Sequence, residues 1–492
     1  MIIWLFIMKN WFSKNKDCFW LLSIVVVSVV LHFWELGKQS VWIDEMFTLR
    51  NIECTWSEVI KTSVTVNNSP PLYYICNKLF CSLGGYGEVA LRFLSALFAT
   101  LSVVMLYFFT KEIFSKKIAL LSAFLLAINP LFLWFSHEAR NYTMVVFLLL
   151  FSLLFALKYW KTGKKSHLLL FSLGALACSI TSVQGMAIFP LCILFYFYSS
   201  KNRKIDYLFW GVFSVLLIIA LVVFAILFSE TSHVPPKRDF TGLEIFYTFF
   251  CYVFGYSFGP SITELQLSAK NALIVNKEAI VLTVISIGLF AIFTFRKFDW
   301  KKLLPSAFFV AVFIGYAVCI EVLTEHSYNV RYALPGVIGV IIGIAVLLND
   351  GFERITLKTS KNGLVLSISL LLVLSLVACY NFLYDTKYSK EMVREAAHEI
   401  ENREVKVLYV APPYMFRSYS YYLAKTDIKI VKLTFKSDFD EIDFSDSNFA
   451  IALSRVHHIP FYNAMMEKIK EEKKNSIEQY SDIPNVVIYF SK

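Results

Sequence analysis

Charge is scarce in this sequence. Only 17% of its 492 residues are Asp, Glu, Lys or Arg, where a soluble globular chain carries about 25%. With 57% hydrophobic residues and a mean hydropathy of +0.59, that shortage excludes an ordinary soluble fold. Metal and redox spacings are missing as well. The nine Cys include no C-x-x-C pair, and the eight His fall in no H-E-x-x-H or zinc-finger pattern. Most of the Cys sit inside apolar segments and read as inert buried thiols. Cys54, Cys76 and Cys81 share the first long loop, which leaves one disulfide open there. A cleavable signal peptide is absent; Lys9, Lys14 and Lys16 precede the first apolar run and read as the flank of a retained signal anchor. No internal repeat is visible, which tells against a transporter assembled from repeated halves.

What the chain has in plenty is apolar runs of about 20 residues, long enough to cross a bilayer as helices. About eleven can be drawn, at 18–36, 89–110, 118–135, 142–159, 167–181, 185–199, 207–229, 279–295, 304–323, 332–349 and 363–384. The expectation is a mainly α, polytopic membrane bundle. The connecting loops alternate in character. "TKEIFSKK", "KYWKTGKKSH", "SKNRK", "FRKFDWKK" and "FERITLKTSKN" are short and basic, and the positive-inside rule assigns them, with the N-terminus, to the cytoplasm. The formal charge of +10 is concentrated in such loops, which speaks against nucleic acid as a partner. The other loops, including 37–88 and 230–278, then face outside, and an odd number of spans leaves residues 385–492 outside too. A twelfth crossing at 240–261 would reverse this charge pattern. That segment therefore reads as an interfacial or re-entrant helix, broken by Gly255, Gly259 and Pro260. Past residue 384, strand-like "VKVLYVA", "IKIVKL", "FAIAL" and "NVVIYF" alternate with helical stretches. A small α/β domain over 385–492 is expected, following a membrane domain over 1–384. It has no G-x-G-x-x-G or Walker motif and no obvious chemistry of its own.

The chemistry gathers on the outer face. "SVWIDEMFT" sets Asp44 and Glu45 among Trp42, Ile43, Met46 and Phe47, just beyond the first span. "SHEARNY" adds Glu138 and Arg140. "TEHSYNVRY" adds Glu325, His326, Arg331 and Tyr332, and "SPPLYY" adds Tyr73 and Tyr74. Taken singly, each has a bland reading: a solvated helix end, an arginine snorkelling to headgroups, a tyrosine of the interfacial belt. Ionisable groups at membrane depth are costly unless paired or functional. Together, acids and arginines from separate loops suit a site that holds a phosphate near the bilayer surface with a carboxylate ready to take a proton. In so apolar a setting the carboxylate is expected to be raised in pKa.

The motifs "VWIDEMFT", "SPPLYY", "EARNY", "FGPSITEL" and "RYALPG", in this order over about residues 18–384, resemble the family 39 membrane glycosyltransferases. These are GT-C class enzymes related to protein O-mannosyltransferases and lipid A aminoarabinose transferases. The resemblance implies a polyprenyl-phosphate-linked sugar donor, transfer on the extracytoplasmic face, and an inverting hexosyl or pentosyl transferase. It implies Asp44 as catalytic base with Glu45 beside it, and Arg140 and Arg331-Tyr332 as donor-phosphate contacts. Glu138, Tyr73, Tyr74 and His326 are further site candidates. Many relatives carry His or Lys before the Pro-Pro-Leu where this chain has Ser69, so a basic contact at that point is missing. No cofactor is fixed, and a divalent metal is left open. The acceptor is a lipid, a glycan or a protein hydroxyl. The alternatives are a polymerase or ligase using a lipid-linked oligosaccharide, a lipid or solute transporter, and a membrane scaffold.

Overall fold

The computed structural model describes residues 16–491 apart from 66–68, 200–205, 230–239, 296–297, 325, 443, 445–447, 456–458, 460–461, 473–476, 481–482 and 484. Lys9, Lys14 and Glu325 lie outside the described residues, as does the "SKNRK" loop.

Each of the eleven apolar runs is helical. In chain order the membrane part comprises α1 (Lys16–Phe33), α2 (Ile43–Glu53), α3 (Trp56–Thr65), α4 (Leu72–Gly84), α5 (Glu88–Ile113), α6 (Lys116–Ala127), α7 (Pro130–Ser136) and α8 (Tyr142–Thr162). It continues with α9 (Lys165–Ser179), α10 (Ile188–Ser199), α11 (Tyr207–Ser229), α12 (Leu243–Phe254), α13 (Ile262–Val275) and α14 (Lys277–Thr294). The last four are α15 (Leu304–Leu323), the single turn α16 (Val330–Ala333), α17 (Val337–Arg354) and α18 (Lys358–Tyr384). Among the described residues, seven helices are long and apolar enough to cross a membrane, or eight if α6 and α7 count as one bent span. Shorter apolar helices occupy the runs at α1, α9 and α10. This is a multi-pass membrane protein.

The third run departs from a straight span. α6 and α7 meet at 57°. Pro130 opens α7 at its first position, where its missing N–H costs nothing, and Asn129 caps it by accepting from the Phe132 amide at 2.9 Å. The same Asn129 donates to the Tyr252 carbonyl of α12 at 2.8 Å. α12 has 12 residues, too few to span, and ends at Gly255 with φ +67°. A Cβ there would lie 3.0 Å from the Pro130 carbonyl carbon. Glycine is needed both for the left-handed turn and for the close approach, and α12 thereby docks on the α6–α7 bend.

Ionic contacts gather the basic loops at one end of the bundle. Asp17 pairs with Lys116 at 2.6 Å, Glu112 with Lys161 at 2.8 Å, and Asp350 with Lys302 at 2.5 Å. Tyr159 donates to Asp206 at 2.7 Å. The loops bearing Asp44, Arg140 and Arg331 meet at the opposite end.

Beyond α18 the chain forms a five-stranded sheet in the order β2-β1-β3-β5-β4: β1 (Val407–Ala411), β2 (Lys429–Lys432), β3 (Phe449–Ser454), β4 (Ile477–Tyr480) and β5 (Val486–Ser491). β1 runs parallel to β2 and β3, while β5 is antiparallel to β3 and β4. Helices α19 (Val393–Asn402), α20 (Phe416–Tyr422), α21 (Lys436–Asp440) and α22 (Tyr462–Glu472) pack around it. Edge strand β4 escaped the sequence reading because "IEQY" buries one residue and exposes two polar ones.

Candidate functional site

The apolar flanks of Asp44-Glu45 have two destinations. Ile43, with Trp42 and Phe47, packs into the core of the C-terminal domain around Val393, Leu408 and Ile488. Val41, Met46, Leu49 and Ile52 pack against Cys81, Leu91 and Ala139 of the membrane part. α2 is therefore a layer between bundle and domain. That explains why two acids are written into greasy sequence: both faces of their helix are buried, and the acids stand in the seam.

The two acids have different fates. Glu45 is fully buried. It takes a bidentate ion pair from Arg92 of α5, with Nε to Oε1 at 2.8 Å and Nη2 to Oε2 at 2.6 Å, and also accepts the Ala139 amide at 2.9 Å. The remaining Arg92 donors go to the carbonyls of Leu36, Gln39 and Ser40. Burial pushes the Glu45 carboxyl up, and Arg92 and Lys390 reverse this, holding it below the ordinary range. With both oxygens engaged, Glu45 fixes the chain on either side of the site.

Asp44 Oδ2 accepts from Arg331 Nη1 at 2.7 Å, and the pair is part-exposed, at 20% for Asp44 and 32% for Arg331. Among the described residues Oδ1 has no hydrogen bond. Burial pushes the carboxyl up, but the guanidinium groups of Arg331, Arg140 and Arg455 outweigh it and leave Asp44 below its ordinary value. The raised carboxyl expected from the apolar sequence is thus not found, because three cations converge from distant segments. Arg331 is set in place by Gln184, which donates to its carbonyl at 2.8 Å, and it lies over the Tyr332 ring at 5.5 Å. Arg140 forms no ion pair among the described residues, and its Nε is buried without a partner. The hydroxyl of buried Tyr74 is likewise unpartnered and lies in the field of Arg140. Tyr73 is spent on Ser95, at 2.8 Å. His326 sits half-buried beside Arg331; burial first, and that charge second, lower its pKa.

Glu138 is buried and faces Lys390, with Nζ to Oε2 at 3.7 Å. Burial pushes its carboxyl up to about 7, against the pull of Lys390, and burial lowers Lys390 in turn. Lys390 lies in the linker from α18 to the domain, donates to the His137 carbonyl at 3.2 Å, and stands over the rings of Trp42 and Trp134. Its neighbour Glu391 pairs with Arg455 at the end of β3. Arg455 stacks over Trp42 at 5.5 Å. A cavity of about 380 Å³ opens here, walled by Trp42, Trp134 and Tyr256 on the membrane side and by Leu453, Arg455 and Asn485 on the domain side.

Sequence reasoning missed Arg92, Lys390, Glu391 and Arg455, and it gave the C-terminal domain no part in the chemistry. The sequence signal for Arg92 was available: a charged residue four positions into an apolar run. Lys390 and Arg455 carry no such mark. The Ser69 hydroxyl accepts from Asn141 at 3.0 Å. Among the described residues no three His, Cys, Asp or Glu converge to hold a metal ion; Asp44, Glu45 and Glu138 are each met by a cation instead. Cys54, Cys76 and Cys81 are free thiols.

Residues 68–228 match the family model described as dolichyl-phosphate-mannose-protein mannosyltransferase. That match covers part of the chain, and the fold as a whole is of the GT-C membrane type. Among solved structures, the chain is similar to ArnT from Cupriavidus metallidurans in the apo state, with 12% identity, TM-score 0.54, 96% of this chain and 98% of that one covered. It is similar to the same protein bound to undecaprenyl phosphate, at 12% identity and TM-score 0.52, over 96% and 97% of the two chains. Archaeal oligosaccharyltransferase AglB from Archaeoglobus fulgidus, in complex with an inhibitory peptide and a dolichol-phosphate, aligns at 12% identity and TM-score 0.50, over 98% of this chain and 74% of its own. No curated protein sequence matches the chain.

Proposed function

We propose that the chain transfers a single sugar from a polyprenyl-phosphate donor to an acceptor hydroxyl at the extracytoplasmic face, inverting the anomeric carbon. Residues 1–384 form the transferase body and 385–492 an accessory domain on the outer side. The observation that carries the reading is the Asp44 carboxylate, tied by one oxygen to Arg331 and open at the other, with Arg140 alongside and unpaired. The polyprenyl-phosphate-bound relatives and the basic loops at the opposite end of the bundle support the donor and the orientation.

The acceptor O–H gives its proton to Asp44 Oδ1 as its oxygen bonds to the anomeric carbon. The bond from that carbon to the phosphate oxygen breaks, and the electron pair leaves with the phosphate. Charge balances at both ends of this step. Arg140 and Arg331 against Asp44 leave one net positive charge to meet the single negative charge of the sugar phosphodiester. Once Asp44 holds the proton, two positive charges face the doubly charged phosphate. Arginine suits this through its bidentate geometry, and donors already aimed at the developing charge need no reorganisation. Glu45 with Arg92 positions α2, and Tyr332 and His326 flank Arg331.

The test is to purify the protein in lipid, offer a panel of polyprenyl-phosphate sugars and an acceptor mixture, and follow donor consumption. One donor should be consumed and its polyprenyl phosphate released, with products heavier by one sugar in mass spectra. Products gaining a block of sugars would make the chain a ligase, and sugar movement without bond cleavage a transporter.

A further inference from the structure

We propose that the cavity between the bundle and the C-terminal domain is an acceptor subsite for an uncharged saccharide, so that the hydroxyl deprotonated by Asp44 belongs to a glycan. This rests on the transferase reading above and narrows it. Three observations point the same way.

The first is access. One wall of the cavity, Leu453, Arg455 and Asn485, comes from the sheet domain beyond the membrane end of the bundle. Whatever fills it arrives from water, whereas a polyprenyl tail arrives through lipid. Trp42 on the opposite wall is the N-cap of α2, two positions before Asp44, and Arg455 is one of the charges felt at Asp44.

The second is the lining. Trp42, Trp134 and Tyr256 offer aromatic surface for the C–H faces of a pyranose, and Lys390 over both indoles, at 5.1 and 5.7 Å, holds their planes. Thr263 and Gln266 of α13 stand on the same wall, and among the described residues their side chains have no hydrogen-bond partner. Neutral hydroxyl and amide groups beside aromatic rings are what a polyol needs. At about 380 Å³ the space is at the small end of ligand cavities, roughly 300–1,000 Å³, enough for one or two sugar rings.

The third is charge. Three cations reach the cavity wall, and each already faces a carboxyl partner: Lys387 with Glu264 at 3.2 Å, Lys390 with Glu138 at 3.7 Å, and Arg455 with Glu391. A phosphorylated acceptor would have to break one of these pairs, two of which are largely buried. An uncharged one leaves all three intact.

The test needs no donor. Full-length protein in lipid nanodiscs is titrated with neutral disaccharides, the same disaccharides phosphorylated, and a serine-containing peptide, using saturation-transfer NMR. A neutral disaccharide should bind, and Gln266→Leu and Thr263→Val should each weaken it about five- to tenfold, one hydrogen bond's worth, with the protein still folded by thermal melt. Tenfold tighter binding of the phosphorylated form, binding of the peptide alone, or a saccharide affinity unmoved by both variants would overturn the proposal. Donor consumption by a protein that binds no saccharide would sink this inference and leave the transferase reading standing. Saccharide binding without consumption of any donor would leave a saccharide site but overturn the transferase reading, and with it the acceptor role.

Discussion

Arg331 sets the working pH of the proposed base, and the size of its effect follows from the geometry. Its Nη1 lies 2.7 Å from Asp44 Oδ2, which puts the charge centres about 4 Å apart. Two unit charges at that distance interact by about 4 kcal/mol at an effective dielectric of 20. Both groups are part-exposed, at 20% and 32%, so solvent screening halves this to about 2 kcal/mol. Asp44 is held below its ordinary value in the structure, so the base is deprotonated throughout the neutral range. Arg331→Gln removes the nearest cation and should raise the Asp44 pKa. The acid limb of kcat/KM against pH, which reports the base of the free enzyme, then moves to higher pH, and the plateau falls because a phosphate contact is lost. A donor phosphate bound between the arginines should act in the same sense, placing the acid limb of kcat above that of kcat/KM. An acid limb that stays where it was in Arg331→Gln would refute the assignment of Asp44 as the titrating base.

Asp44→Asn should lower transfer by about 10²–10⁴-fold, the usual span for a general base, with unchanged thermal unfolding; an active variant removes Asp44 from the role. Glu45→Gln breaks one side of a buried, fully satisfied pair and should destabilise the protein by about 3–5 kcal/mol. A melting temperature within a degree or two of wild type would contradict the positioning role. The Glu138 carboxyl is pushed up to about 7 from 4.5 by burial, so the folded state keeps a proton that the unfolded chain releases. Stability should therefore fall as pH rises across that interval, by up to about 3 kcal/mol. Glu138→Gln should remove this component, and equal pH slopes for the two proteins in detergent would refute it. A Cβ on Gly185 would sit inside the Cys178 carbonyl, so Gly185→Ala should displace neighbouring Gln184 from Arg331 and depress both the melting temperature and donor use.

Of the fold, the bundle was legible because a bilayer imposes a length and an apolarity on each span that local sequence must show by itself. The short segment at 240–261 was legible for the same reason, through the charge pattern its crossing would violate. The bend at Ile128–Pro130 had a local signal in Asn129-Pro130, which the apolar run masked. The docking of α12 through Gly255 and Tyr252 had none, because those partners are more than a hundred residues away. The same division runs through the site. Asp44, Arg140 and Arg331 stood out as charges in apolar surroundings, whereas Arg455 and Lys390 look like any surface cation until the C-terminal domain folds back onto α2.

The sequence by itself determined which residues must avoid lipid and at which end of the bundle they gather, since both follow from composition along a one-dimensional chain. Only the tertiary structure decided which of two adjacent carboxylates is open to a substrate. Asp44 and Glu45 are chemically near-equal neighbours. They leave one helix about 100° apart, so a buried arginine consumes Glu45 while Asp44 stands at the seam among three guanidinium groups. Helical rotation and long-range packing set that difference, and neither is written at the position itself.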